Sequence, residues 1–187
     1  MAAARLVARA GFLGVLDDVL GDRVLDQHFL LLVISKLSDA GVGRQDRLLL
    51  ARARYPEEYR DILENILQET EQSPLPDHEW HPVLMALGED MLASLLRISP
   101  ASVRRYSRKE RPTPDDVAAR LHFVALLTAD LSGAYNEFGI RRWFDRSRQA
   151  LGDRAPGEVL GAGFDLESDD AAALRRLAAG LLGAGAS

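Results

Sequence analysis

"MLASLLRISPASVRRYSRKERP", residues 91–112, decides the reading of the fold. Two short helices packed across a tight turn bury a fixed set of positions. On that template Ala93 is the small residue where the helices cross, and Leu92, Leu96, Ile98, Val103 and Tyr106 take the buried places. Ser99 caps the second helix and Pro100 is its first residue. Ser99, Ala101, Arg104, Arg105 and Arg108 are left facing outward. Every template-buried position is apolar or aromatic and three outward ones are arginine, the side chain suited both to phosphate and to the guanine edge in the major groove. Lys109 and Arg111 follow, placed to take phosphates. Arg97 holds the turn position where a left-handed glycine is usual; either it pays a modest cost in strain there or the turn is built differently. The competing reading is that six cations and one acid between residues 97 and 112 form only a solvated face.

The rest of the chain sharpens that contrast. The formal net charge is −5, yet the two halves differ. Residues 1–90 carry nine Lys/Arg and sixteen Asp/Glu, a net of −7; residues 91–187 carry fourteen and twelve, a net of +2. Any polyanion contact is therefore expected in the second half. At 187 residues the chain makes one or two domains with a real core. It has no cysteine, which excludes disulfides, thiolate catalysis and thiolate-held metals and fits a reducing, cytoplasmic setting. The longest apolar run, "FLLLVIS" from Phe29, falls far short of the roughly 20 residues that cross a bilayer. The amino end meets Asp17 and Asp18 early and reads as an amphipathic helix rather than a signal peptide.

Nearly all of the chain has helical spacing. One helix runs from Arg5 to Leu20, and another follows Asp22 and stops at Gly41. A third region breaks before Pro56, whose place at a first helical position is followed by Glu57 and Glu58. "SPLPDHEWHP", residues 73–82, has three prolines and no periodicity, and reads as a linker. In "RPTPDD", Thr113 is the expected cap and Pro114 the first residue of a helix reaching about Tyr135. Ser168 caps a last helix, and nothing alternates as a strand does.

Other residues support blander roles. Trp143 and Phe144, between Arg141, Arg142 and Arg146, read as core anchors rather than a stacking site. Gly152, Gly157, Gly161 and Gly163 are turn glycines, since no phosphate-loop pattern surrounds them. The pairs Asp17–Asp18, Asp115–Asp116 and Asp169–Asp170 make poor catalytic dyads because helical neighbours point about 100° apart. His78 and His81 lack a third ligand, and His28 and His122 read as isolated structural residues. No catalytic residues, metal or cofactor are expected.

From Ile98 onward the sequence resembles the Xre/MbcA/ParS antitoxin family, whose members pair with RES-domain toxins. The likeness runs through "ISPASVRRYSRKERPTPDDVAARL" (98–121), "RRWF" (141–144), "ALGDRAPGEVL" (150–160) and the terminal helix, within about residues 91–187. Ser147 and Arg148 stand where the family often has Pro-Asn, and Gly185 and Ala186 where its tail often has an aromatic residue. The resemblance implies an Xre-like helix-turn-helix domain, dimerisation, binding to the protein's own operator DNA, and blockade of an NAD-degrading toxin by the last helix and tail. On this chain the toxin-binding residues would be Arg175, Arg176, Leu182, Gly183, Gly185 and Ser187.

The resulting expectation is an all-α cytoplasmic protein, a homodimer or higher homo-oligomer. It comprises a helical interaction region (1–72), a linker (73–82), an Xre-like helix-turn-helix domain (83–136) and a toxin-binding domain (137–187). It would be a DNA-binding antitoxin that neutralises a RES-type toxin and represses its own operon, and not an enzyme. The alternative keeps the helix-turn-helix in a regulator or scaffold that has no toxin and recruits another protein through its acidic N-terminal helices.

Overall fold

Capping and proline placement set most helix starts in the computed structural model, which describes residues 2–16, 25–50, 52–161 and 164–184. Among these residues there are eleven α-helices and one 3-10 turn, and no β-strand. The first four are α1 (Ala2–Phe12), α2 (Gln27–Asp39), α3 (Arg44–Leu50) and α4 (Pro56–Gln72). Asp26 caps α2, its Oδ1 accepting from the Phe29 amide at 2.8 Å. Pro56 opens α4 as expected, and Glu58 folds back to accept from the amides of Arg54 at 2.7 Å and Tyr55 at 3.1 Å. Those two bonds hold the Glu58 carboxyl below its ordinary pKa. The expected first helix is shorter, since α1 ends at Phe12; its stretch through Asp17, Asp18 and Leu20 lies outside the described residues.

The remaining helices are α5 (Pro76–Leu87), α6 (Glu89–Leu96), α7 (Pro100–Ser107), α8 (Asp115–Ser132), α9 (Glu137–Asp145), α10 (Pro156–Val159) and α11 (Asp169–Ala184). Ser168 caps α11 as expected, accepting from the Ala171 amide at 3.2 Å. The linker expected at residues 73–82 is corrected: α5 begins at Pro76 and runs through Pro82, with Glu79 and Trp80 buried. Proline tolerates a first helical position, and Pro82 merely removes the donor that the His78 carbonyl would have met. Gly14 packs against that carbonyl with φ +69°, so close that a Cβ there would lie 2.1 Å from the oxygen.

α8 is the axle. Every residue from Leu121 to Leu131 is buried, as in a helix enclosed on all sides. α1, α5, α6, α9 and α11 all pack on it. The apolar residues form two clusters, one from α1–α4 and one from α5–α11. A polar seam joins them. Arg9, only 3% exposed, donates to Leu67 O (2.9 Å), Thr70 Oγ1 (3.2 Å) and Glu71 Oε1 (2.8 Å). Arg5 reaches both oxygens of Asp130 on α8, at 3.3 and 3.2 Å. The N-terminal helices are thus tied to α8 through α1.

Candidate nucleic-acid interface

Leu92, Leu95 and Leu96 turn α6 inward, and Ala93, 4% exposed, leaves room for the chain to fold back on itself. The turn is a Schellman stop: the Ile98 amide donates to Ala93 O at 3.1 Å and the Arg97 amide to Ser94 O at 3.2 Å. Arg97 sits in the left-handed region, φ 58° and ψ 41°, the conformation read from its position in the sequence. Ser99 then caps α7, its Oγ accepting from the Ser102 amide at 3.1 Å. Val103 is fully buried, while Ile98 and Tyr106 are half-buried against the same core. Tyr106 stacks on Trp80 at 6.0 Å between ring centroids.

α7 ends the same way. The Lys109 amide donates to Tyr106 O at 2.9 Å and the Glu110 amide to Arg105 O at 2.9 Å, with Lys109 left-handed at φ 57°. Cations therefore occupy both glycine-favoured positions that bracket α7. Each costs about 1 kcal/mol relative to glycine. Sequence reasoning anticipated the first and missed the second, for which no residue type gave a signal.

Arg104, Arg105, Arg108, Lys109 and Arg111 are all exposed, as is Ser99. Ala101 is half-buried. The arginines are not equally free. Arg104 is ion-paired with Glu89 at the start of α6. The Arg105 Nε donates to the Ala101 carbonyl of its own helix at 3.2 Å, and Arg108 lies a loose 3.9 Å from Glu110. Thr113 does not cap α8. It accepts from Trp80 Nε1 at 2.9 Å, and Pro114 takes the cap position instead.

Beside the turn lies an open cleft of about 540 Å³ whose lining includes Arg97, Asp116, Arg120 and Phe164. Arg120 is committed to the fold, donating to the carbonyls of Leu95 (3.0 Å) and Leu160, with its guanidinium 5.5 Å from the Phe164 ring centroid. Burial, and then the neighbouring Arg97 charge, lower its pKa.

The other candidates disperse. Arg175 faces the fold, donating to Glu71 Oε2 at 3.3 Å with its guanidinium over the Phe123 ring, whereas Arg176 is exposed. Leu182 and Gly183 fall within α11; Gly185 and Ser187 lie outside the described residues. Trp143 and Phe144 are buried edge-to-face core anchors. Gly152 is a left-handed turn glycine at φ +65°, and Gly163 lies outside the described residues. His122, expected to be isolated, is instead a buried partner of Glu79, its Nδ1 2.7 Å from Oε1. His78 and His81 are exposed, and no group of three metal-ligating side chains occurs among the described residues.

The arrangement defines an all-α protein with a cationic helix presented at the surface, and no described helix is long and apolar enough to cross a membrane. No family model, curated protein or solved structure matches the chain.

Proposed function

We propose that α6, its turn and α7 form an Xre-like helix-turn-helix, and that the chain is a dimeric, cytoplasmic DNA-binding antitoxin. It neutralises a RES-type toxin and represses its own operon. The observation that carries this reading is that inward Val103 and Tyr106 share α7 with outward Arg104 and Arg105, while Arg108, Lys109 and Arg111 continue the exposed cations just past its end. The two left-handed cations add weight, because a strained conformation kept by a charged side chain points to a use for that charge. Arg104, Arg105 and Arg108, with Ser99 and Ala101, face the groove; Lys109 and Arg111 take phosphates. Arg176 and the end of α11 meet the toxin.

Mobility-shift assays with the Arg104→Ala/Arg105→Ala variant test the DNA contact, and binding equal to the parent's overturns it. A pull-down by the product of the neighbouring gene, with and without residues 173–187, tests the toxin contact. A second reading drops the toxin and keeps a regulator that recruits another protein. The tie between Arg175 and Glu71 favours it, as do the exposed apolar side chains of Leu48, Leu49 and Tyr55 in the N-terminal half.

A further inference from the structure

Resting on that reading of α7, we infer that Glu89 is a built-in competitor for DNA, which holds Arg104 until a nucleic-acid acceptor replaces it. Arg104 is the fifth residue of α7 and Glu89 the first of α6. Their ion pair crosses between the two helices, and both side chains stay partly open to solvent, at 49% and 34%. Glu89 suits its place without Arg104, because a carboxylate in the first turn complements the helix dipole. Its pairing therefore adds a second consequence: one guanidinium of the basic row is neutralised inside the free protein. Arg105 and Arg108 have no comparable partner, only a carbonyl of the same helix and a carboxylate 3.9 Å away.

The pair is exposed enough to exchange. Surface ion pairs are weak, so a well-placed base edge or phosphate displaces Glu89 readily, whereas poorly placed DNA leaves the carboxylate to repel the backbone. Glu89 thereby penalises binding to unselected sequences more than binding to the cognate one. It is a specificity-determining residue that itself touches no DNA.

The test measures binding of the full chain to a random-sequence duplex across a salt series. The variants are Glu89→Gln, Asp90→Asn and each of these combined with Arg104→Ala. Asp90 shares the first turn of α6 and is exposed, so its variant controls for charge alone. The expected result is that Glu89→Gln tightens random-duplex binding about two- to fivefold and steepens the salt slope by about one. Both effects vanish in the Arg104→Ala background. Equal effects from Glu89→Gln and Asp90→Asn, or an undiminished effect without Arg104, overturn the inference and leave α7 as the DNA contact. A parent protein that binds no duplex even at low salt overturns both.

Discussion

Arg9→Ala cuts the hydrogen bonds that tie α1 to α4, and with them a looser 3.6 Å ion pair to Asp130 on α8. Arg9 is 3% exposed and makes three hydrogen bonds, two to neutral oxygens and one to Glu71. A neutral bond contributes about 1 kcal/mol and a charge-assisted one about 1.5–3 kcal/mol. What stays behind sets where in that range the loss falls. Thr70 keeps its bond to Leu67 O at 2.6 Å, Asp130 keeps Arg5, and Glu71 is a third exposed and keeps Arg175. No carboxylate is stranded, so the loss stays near the lower limit for breaking a buried pair, about 3 kcal/mol. Arg9→Lys should recover part of it, since an ammonium retains the charge but not the fork that reaches three acceptors. Urea denaturation followed by circular dichroism reads the change as a lower midpoint at an unchanged slope. A loss below about 1 kcal/mol would refute Arg9 as the tie between α1 and α4. A biphasic transition in the parent would show that the clusters unfold separately.

Three further outcomes follow from local geometry. Gly14→Ala should destabilise by about 2 kcal/mol or more, because φ is +69° and the new methyl meets the His78 carbonyl; equal thermal midpoints for parent and variant would contradict the α1–α5 packing. Arg97→Gly should stabilise by about 0.5–1 kcal/mol by relieving the left-handed arginine; an unchanged or lower midpoint in urea denaturation would contradict that strain. Asp46→Asn should raise the thermal midpoint at neutral pH. Burial, and then Glu69, raise the Asp46 pKa above its unfolded value, so deprotonation as pH climbs through the carboxylate range costs stability. The gain from Asn should disappear below that range, and a pH-independent gain would rule this cause out.

Local chemistry was legible in the sequence where its partners were local. Pro56, Ser99, Pro100 and Ser168 start helices as their types require, and the inward set Leu92, Ala93, Leu96 and Val103 is buried. Failures came from partners far along the chain. Three prolines made residues 73–82 look like a linker, yet Trp80 bonds Thr113 and Glu79 bonds His122, tying the stretch into the core. The same bond took Thr113 away from its expected cap. The pairing of Arg104 with Glu89, fifteen residues apart, needs the helices already folded back on each other before it becomes visible. Arg175 carried a sign of neither Glu71 nor Phe123, which lie on α4 and α8.

The most direct measurement of the central claim is the salt-dependent affinity of the full chain for a duplex enriched from a random pool, compared with the random pool itself. Lys109→Ala/Arg111→Ala should flatten the salt slope by about two and weaken both DNAs alike. Arg105→Ala and Arg108→Ala should each erode the preference for the enriched duplex by about 1–3 kcal/mol. Unchanged slope and unchanged preference in all of these variants would show that the cationic face of α7 does not touch DNA.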